Sequence, residues 1–339
     1  MTSGLEPSRG VLKKLINDPF DAVDEMVEGF VAAHADIVRL VGERVVARNP
    51  SDRPKVGLVI GGGSGHEPAF LGYVGAGLAD AAAIGNIFAA PSPDTCLDAI
   101  RATSTGMGVL LAYGNYAGDI MNFGIAAERA ASEGIEVRTV LVTDDVASAP
   151  REETRLRRGI AGDVIVFKCA GAMAERGASL DDVERVARAT NAATRSMGVA
   201  LSPCEVPGAG RLSFELSADE IEIGLGLHGE PGMRRGPLLS ADDTAAILVD
   251  TIVADMEASG PEVALLVNGL GATAQLDLYI LYRAARRALE AAGHVVSRSL
   301  VGDYITSLEM AGASITVTLL DDELRGLLDD PARAARFIR

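Results

Sequence analysis

The sequence places a titratable histidine inside a run of very small residues. Residues 61 to 68 read Gly-Gly-Gly-Ser-Gly-His-Glu-Pro and follow the apolar run Val56 to Ile60, which predicts a strand. Glycine and serine let backbone N–H groups approach an oxyanion or a hydroxyl closely, and Pro68 suits the first turn of a following helix. The pattern predicts a ligand loop into which His66 points, although the glycines also fit a plain turn of the chain.

Two nucleotide-binding interpretations of this loop disagree with its spacing. Gly57 to Ser64 matches a P-loop frame except that Gly63 occupies the lysine position, which removes the charge meant for the phosphates. Counted as Gly-x-Gly-x-x-Gly from Gly61, the frame puts His66 at the third glycine, where a side chain obstructs close helix–strand packing. The sequence therefore argues against both kinds of nucleotide site.

A second loop, Gly114-Asn-Tyr-Ala-Gly-Asp119, follows the strand predicted at 108–113. The carboxyl ends of parallel strands meet at the same edge of a sheet, so we expect this loop and the first one to share a crevice. Asp119 fits two roles equally well. It is a candidate general base for a hydroxyl, and it also fits a cap or macrodipole partner of the helix that follows.

A third loop, Gly224-Leu-Gly-Leu-His-Gly-Glu-Pro-Gly232, repeats the association of histidine, glycine and Glu-Pro. A neutral imidazole at His228 can add to a ketone or aldehyde and form a hemiaminal, which requires no lysine. The alternative is a histidine that is only hydrogen-bonded in a turn. The remaining histidines, His34 and His294, are interpreted as structural.

Composition limits the classes of partner. The formal charge of −16, the pI near 4.7 and the lack of any Lys/Arg run longer than two argue against nucleic acid and anionic membranes. The three cysteines form no Cys-x-x-Cys pair and the N-terminal residues lack a signal-peptide pattern, so we expect a cytoplasmic protein. The four histidines show no ligand spacing, and no metal site is predicted.

The length of 339 residues exceeds the size at which single cores stop growing, which predicts two domains. Apolar runs alternate with helical patterns, so we expect an α/β fold with two packed α/β domains, each with a central sheet flanked by helices. Small and polar residues from Asn191 to Gly198 mark the predicted junction between an N-terminal unit at 11–190 and a C-terminal unit at 198–339.

Hydrophobic periodicity places the individual elements. Strands are predicted at 55–60, 81–85, 108–113, 136–142, 199–206, 214–216, 220–227, 262–267, 294–300 and 314–320. Helices are predicted at 20–41, 68–76, 94–104, 118–132, 180–197, 242–257, 273–292 and 304–311. The segment 163–176 fits a strand and a helix equally.

Five motifs in one order resemble the substrate-binding K subunit of dihydroxyacetone kinases. They are Lys14-Leu-Ile-Asn-Asp, Gly61 to Pro68, Asn115-Tyr-Ala-Gly-Asp119, Leu227-His-Gly-Glu-Pro-Gly232 and Asn268-Gly-Leu-Gly-Ala-Thr273. The resemblance runs from about residue 11 to 330. It implies a two-domain α/β protein, usually a homodimer, and it favours a helix at 163–176.

The resemblance also implies roles for individual residues. His228 would hold the ketone of dihydroxyacetone as a hemiaminal, and His66 would act as acid and base. Asp119 would activate the hydroxyl that receives phosphate. The string Gly63-Ser64-Gly65-His66 would bind the substrate, together with Gly114 and Asp119.

The chain contains no P-loop, so we expect a separate L subunit that carries ATP or ADP with magnesium, and no cofactor bound by this chain. The phosphate would come from ATP or from a phosphoprotein of the sugar phosphotransferase system. Gly114 stands where the dihydroxyacetone-specific members of the family typically have a lysine before Asn-Tyr, and Ala117 stands where threonine is common. A longer ketose such as erythrulose would then fit. A ketose-sensing coactivator, and a lyase or isomerase acting without a partner, are the alternatives.

Overall fold

A computed structural model describes residues 13–51, 53–256 and 260–339 of the chain. Three sequence-based expectations lie outside these residues: the character of the N-terminal sequence, the start of the first unit at residue 11, and the end of the helix predicted to reach residue 257. Within the described residues the chain folds around two six-stranded sheets, with a small three-stranded sheet formed by residues 75–76, 333–334 and 337–338, and the predicted α/β class is confirmed.

The first half of the chain builds the first sheet. Its elements are α1 (Ala22–Ala33), β1 (Val38–Val41), β2 (Val45–Arg48), β3 (Gly57–Ser64), β4 (Gly75–Ala76), β5 (Ala81–Ile87), α2 (Pro93–Thr103), β6 (Val109–Gly114), α3 (Ala117–Ser132), β7 (Val137–Val142), α4 (Asp163–Glu175) and α5 (Leu180–Ala193). The strand order is β1-β2-β5-β3-β6-β7, and β5, β3, β6 and β7 are parallel. Their carboxyl ends therefore share one edge, as expected for the first two loops.

The second half builds the second sheet. Its elements are β8 (Thr194–Ala200), β9 (Glu220–Ile223), β10 (Arg234–Pro237), α6 (Ala241–Asp255), β11 (Glu262–Gly269), α7 (Gln275–Ala291), β12 (Val295–Gly302), β13 (Gly312–Leu319), α8 (Asp322–Asp329), β14 (Arg333–Ala334) and β15 (Phe337–Ile338). The strand order is β10-β9-β8-β13-β11-β12, and only β11 and β12 run parallel among these neighbours.

Burial and capping explain several of these elements. Every residue of β3 is buried between its two neighbours and the helices on either side. Residues 163–174 of α4 are also all buried, so the apolar run has no polar face, and helical and strand periodicity look alike in the sequence. Ser92, Ser179 and Ser240 each accept a hydrogen bond from the amide three residues later, which fixes the first turn of α2, α5 and α6.

Two predicted helices in the first half are wrong. The helix predicted at 20–41 ends at Ala33, because residues 38–41 pair antiparallel with residues 45–48 in the sheet. The helix predicted at 68–76 is a single 3-10 turn at Leu71–Tyr73 followed by β4. There residues 75–76 pair with residues 333–334 as a strand, and a Cβ on Gly75 would lie only 2.1 Å from the Arg333 carbonyl oxygen, so this pairing requires glycine. The predicted loop residues 61–64 instead extend strand β3.

Other corrections concern the second half. The helix predicted at 180–197 ends at Ala193, because the buried Thr194 hydroxyl pairs with that of Thr318 across the sheet at 3.0 Å. The strand predicted at 199–206 runs instead from Thr194 to Ala200. The strand predicted at 214–216 is absent from the described residues, and that predicted at 220–227 stops at residue 223. The helix predicted at 304–311 is a loop. The amides of Thr306 and Leu308 donate to the carbonyl oxygens of His66 and Gly65, which are distant in the sequence.

The C-terminal segment packs on the first half of the molecule. Leu324, Leu327 and Phe337 belong to the same apolar cluster as the core of the first sheet. The ammonium group of the fully buried Lys168, on α4, donates to the Leu327 carbonyl oxygen at 2.6 Å. The exact boundary between the two predicted units stays a prediction. None of the described helices combines the length and the apolar character that a membrane crossing requires.

Candidate active site

His66 lies just beyond the carboxyl end of β3 and is only 3% exposed. Its Nδ1 atom is 2.7 Å from the carbonyl oxygen of Thr306, in the loop that follows β12. A carbonyl oxygen only accepts, so Nδ1 carries the proton and Nε2 presents a lone pair. Burial, together with the charge of His228, lowers the pKa of His66 to about 3, against an opposing contribution from the Thr306 hydrogen bond. His66 is therefore a neutral imidazole with a free Nε2.

His228 lies in the loop that follows β9, and its side chain is 26% exposed. Its Nδ1 atom is 3.0 Å from Oε1 of Glu230, and its backbone N–H donates to Oε2 of the same carboxylate at 2.9 Å. Burial acts to raise the pKa of Glu230, but the His228 hydrogen bond and the charges of His228 and Arg158 hold it at about 2. An ionised Glu230 accepts the Nδ1 proton, which aims Nε2 of His228 into the site.

The two histidines meet through their Nε2 atoms, which are 3.0 Å apart. A hydrogen bond of this length requires one proton on the line between the nitrogens. Because burial keeps His66 neutral, His66 is the acceptor and His228 the donor, so in this arrangement His228 holds a proton on each ring nitrogen, one directed at Glu230 and one at His66. The pair therefore stores a single proton beside the nitrogen that would become the nucleophile once that proton moves.

Two aromatic rings enclose the pair. Phe88 stacks on His66 with ring centroids 5.1 Å apart, and its edge meets His228 at 5.2 Å. Tyr116 meets His228 edge-on at 5.0 Å, and its hydroxyl donates to the Gly159 carbonyl oxygen at 3.0 Å. Burial raises the pKa of Tyr116 well above its ordinary value, so the phenol stays neutral. The walls of the site are thus apolar where they touch the imidazoles.

Asp119 lies in the first turn of α3, on the same side of the sheet as the two histidines. Its Oδ1 atom is shielded from solvent and has no hydrogen-bond partner among the described residues. Burial raises the pKa of Asp119 to about 7, opposed by the nearby charge of His228 and by its own backbone amide. A carboxylate with a free oxygen and a pKa near neutrality suits a general base.

The small residues that the sequence assigns to substrate binding have structural partners as well. The Ser64 hydroxyl donates to the Gly85 carbonyl oxygen at 2.8 Å. Gly65 adopts a φ of +95°, which disfavours other residues. A Cβ on Gly63 would lie 2.7 Å from the Ala89 nitrogen, and one on Gly114 would lie 3.1 Å from the Tyr116 ring. The structure brings these positions to the histidine pair, and their contact with substrate stays a prediction.

Metal ligands do not gather in this region. Within residues 13–51, 53–256 and 260–339, no group of three or more His, Cys, Asp and Glu side chains is arranged to hold a metal ion. The site as built offers nucleophilic nitrogen, proton transfer and carboxylate base chemistry through its own side chains.

Comparison with known proteins places this site in a family. The model of the Dak1 domain matches residues 28–336. The chain belongs to the Dak1 family. Over 330 residues it is 46% identical to the dihydroxyacetone-binding subunit DhaK of the PTS-dependent dihydroxyacetone kinase 2 of Listeria innocua, covering 96% of this chain and 99% of the relative. The resemblance to the K subunit is thereby confirmed.

Other members of the Dak1 family carry different names. The L-erythrulose 1-kinase of Mycolicibacterium smegmatis is 44% identical over 96% of this chain, which spans 58% of that protein. Two solved structures share the fold: a dihydroxyacetone kinase operon co-activator, with a TM-score of 0.88 and 33% identity over 93% of this chain and 98% of that one, and the dihydroxyacetone kinase of C. freundii, with a TM-score of 0.87 and 32% identity over 96% of this chain and 60% of that one.

The contacts of four residues in this Dak1 site escaped the sequence analysis: Glu230, Thr306, Phe88 and Tyr116. Glu230 had a signal in the repeated His-Glu-Pro association, but the string does not say that the glutamate turns back onto the histidine. Thr306 acts through a backbone carbonyl, which any residue would supply. Phe88 follows a strand without a pattern of its own, and Tyr116 stands in the second loop, whose sequence does not say where its ring lies. Only the packed structure shows that both rings touch the imidazoles.

Proposed function

We propose that this chain is the substrate-binding subunit of a ketose kinase of the dihydroxyacetone type. The observation that carries the proposal is the histidine pair: His228 is aimed by Glu230 and faces the neutral His66 at 3.0 Å. A ketone placed between these rings meets a nucleophile and a proton carrier together. The naming of relatives as dihydroxyacetone-binding subunits supports the same substrate class.

The covalent step balances with the groups present. The proton between the two Nε2 atoms moves onto His66, which becomes cationic only for the duration of the step, and the Nε2 lone pair of His228 is freed while the positive charge that His228 carried returns to its ring once the N–C bond has formed, beside the Glu230 carboxylate. That lone pair attacks the ketone carbon, the N–C bond forms, and the π electrons of C=O go to oxygen. The oxygen takes the proton back from His66 and becomes the hemiaminal hydroxyl. Glycerol has no carbonyl to accept the nucleophile, so covalency selects ketoses over polyols.

In the second step Asp119 accepts the proton of a primary hydroxyl while the hydroxyl oxygen attacks a phosphoryl group. Phosphoryl transfer depends on positioning and charge stabilisation, and the adduct fixes the hydroxyl in place. We infer that a separate L subunit holds ATP with magnesium as the phosphoryl donor and that ADP is the leaving group. The ADP is then either exchanged for ATP or rephosphorylated in place by a phosphotransferase-system protein. Relatives named as PTS-dependent and PEP-dependent kinases support that source. We further propose a cytoplasmic homodimer.

Trapping of the ketone tests the proposal. Carbonyl-13C dihydroxyacetone is mixed with wild type and with His228→Ala and followed by 13C NMR. We expect the ketone resonance to be replaced by an adduct resonance near that of a tetrahedral carbon in wild type alone. An unchanged ketone resonance in wild type, with a folded protein, contradicts the proposal.

A four-carbon ketose is the second candidate substrate, supported by relatives named as erythrulose kinases at 44–46% identity. Gly114 is the observation in this chain that favours it. A Cβ at this position would lie 3.1 Å from the Tyr116 ring and 3.3 Å from the Gly159 carbonyl oxygen. Because glycine has no Cβ, neither group has to shift. We expect Gly114→Lys to lower the turnover of erythrulose relative to dihydroxyacetone by roughly tenfold, a typical size for a steric change in a pocket. An unchanged ratio, measured with the L subunit present, contradicts this preference.

A ketose-sensing coactivator is the alternative from a different class, and one similar structure carries that description. Binding alone needs His228 but has no use for a base with a pKa near 7. The presence of Asp119 and His66 favours the enzyme. Phosphorylated ketose formed by the chain with an L subunit, and its loss in Asp119→Asn, separates the two functions.

A further inference from the structure

Two non-glycine residues in the described chain have a positive φ, and both lie against Gly65. Phe88 has a φ of 54° and Leu308 a φ of 52°. A Cβ on Gly65 would lie 2.8 Å from the Phe88 ring and 3.3 Å from the Leu308 side chain. Bulky residues seldom adopt this conformation, and where they do it concentrates at functional sites. The strained backbone therefore marks the two sides of the residue that precedes His66.

Phe88 uses this conformation to reach the histidine pair. Its backbone N–H donates to the Ser64 carbonyl oxygen at 2.9 Å, which ties it to the end of β3. From there the ring crosses Gly65 and stacks on His66 with an angle of 25° between the planes. The same ring meets His228 at an angle of 71°. One side chain thus contacts both imidazoles, and glycine at 65 leaves the room for it.

The packing changes the interpretation of the glycine loop. The sequence suggests that Gly63 and Gly65 are small so that a ligand can approach the backbone. A Cβ on Gly63 would lie 3.0 Å from the Phe88 Cα, and one on Gly65 would collide with the Phe88 ring. Both glycines are therefore required by Phe88 itself, whatever else they contact.

We propose that Phe88 is a positioning residue for the proposed ketose chemistry: its ring, aimed by a left-handed backbone, fixes the plane of His66 and closes the histidine pair against water. The inference rests on the proposed function, since it assigns Phe88 a task in the same site. It predicts that the ring sets both the ionisation of His66 and the ease of adduct formation. A ring that only fills space would affect stability alone.

The effect on ionisation follows from burial. Burial is the first cause of the low pKa of His66. The titratable groups that face His66 are His228 and, beyond it, Glu230, and both are still present in the Phe88 variants. Within the same loop, the Glu67 carboxylate turns to the Gly65 amide at 3.0 Å. Towards the opposing loop His66 donates through Nδ1 to the Thr306 carbonyl oxygen, while Glu309 in that loop pairs with Lys14. Removing the ring admits water and raises the pKa of His66 towards its ordinary value of 6.5.

Histidine-specific 15N NMR tests the proposal without any substrate. The four histidine rings are titrated in wild type, Phe88→Ala and Phe88→Leu, with His66→Gln to assign the resonance. Leucine keeps apolar volume without a flat ring, and it provides a folded variant if alanine unfolds. Phe123→Leu is the matched control, because the Phe123 ring also contacts strand β3, 2.9 Å from a Cβ on Gly61, but stacks on Tyr113 instead of a histidine.

We expect His66 to stay neutral with its proton on Nδ1 down to pH 5 in wild type and in Phe123→Leu, and to titrate above pH 5 in both Phe88 variants. Adduct formation with 13C-labelled dihydroxyacetone should weaken roughly tenfold in Phe88→Leu, the scale of a small misplacement of reacting groups. Unchanged titration of His66 in both folded variants overturns the proposal. Absence of an adduct in wild type would instead overturn the proposed function, while the titration would still decide the role of Phe88.

Discussion

The two histidine loops share a sequence association but differ in what their histidines contact. His66 is buried and hydrogen-bonded through Nδ1 to a backbone carbonyl, whereas His228 is partly exposed and hydrogen-bonded through Nδ1 to a carboxylate. A carbonyl partner in a buried position favours the neutral ring, and a carboxylate partner stabilises an added positive charge. The same side chain is thereby assigned to proton transfer in one loop and to nucleophilic addition in the other.

The glutamates of the two loops differ in the same way. Glu67 accepts the backbone N–H of Gly65 at 3.0 Å and shapes its own turn. Glu230 accepts from the backbone and the ring of His228 together. Burial raises the pKa of Glu67, while the pKa of Glu230 is held low. A repeated motif in a sequence therefore does not establish a repeated role, because the role depends on which group the carboxylate reaches.

Substitution of each histidine in turn should give the largest effects and separate the two roles. We expect His228→Gln to lower turnover with the L subunit on the order of 10⁴-fold, because the positioned covalent intermediate is lost. His66→Gln should lower turnover about 10²-fold, the usual range for one acid or base. Steady-state kinetics of both variants checks this order. Equal losses would mean that the two loops are not specialised, and His34→Gln serves as the control.

Asp119 should control the pH dependence of phosphoryl transfer. Its carboxyl is protonated below its pKa of about 7 and can accept a proton only above it. We therefore expect kcat/KM to rise with pH through about 7 in wild type. Asp119→Asn should lower kcat/KM by roughly 10²-fold and abolish that rise. The adduct seen by 13C NMR should persist in this variant, and its loss would contradict the separation of addition from phosphoryl transfer.

The glutamates offer a smaller and more specific comparison. Glu230→Gln removes the negative charge behind His228, and we expect adduct formation to weaken about tenfold. Glu67→Gln changes no hydrogen-bond partner of either histidine ring. We therefore expect it to lower thermal stability and to leave adduct formation unchanged. Isothermal titration with dihydroxyacetone and thermal unfolding of both variants provide the measurements. An equal effect of both substitutions on the adduct would contradict the assignment.

The smallest effect concerns stability. The pKa of Asp119 is raised on folding, so the unfolded chain releases this proton from about pH 4, whereas the folded chain keeps it until about pH 7. Wild type consequently loses stability as the pH rises across this window, and Asp119→Asn does not. We expect the variant to be more stable at pH 8 by about 1–2 kcal/mol, less than the full shift because the residue is partly in contact with water. A difference that stays constant from pH 4 to 8 contradicts the raised pKa.

Much of the site could be predicted because its chemistry-bearing residues lie among glycines. His66, His228 and Asp119 stand out in this way, and the parallel strands explain why two of their loops share an edge. The alternation of strands and helices also predicts the α/β class. Residues with a strong local pattern, such as those of α2 and α7, differ from prediction by only a few positions.

Long-range contacts explain what could not be predicted. The loop at 304–311 has helical spacing, but the amides of Thr306 and Leu308 donate to His66 and Gly65, which are remote in the sequence. Thr194 resembles the end of a helix until its hydroxyl meets Thr318 inside the sheet. Phe88 has no local signal, because its importance comes from a backbone conformation that is unfavourable on its own.

A crystal structure of the chain grown with dihydroxyacetone would test the specialisation of the two loops most directly. We predict continuous electron density from Nε2 of His228 to the ketone carbon, with Nδ1 of His66 still bonded to the Thr306 carbonyl and a primary hydroxyl beside Asp119. Density joining the ketone to His66, or an intact ketone bound without a covalent bond, would contradict the account.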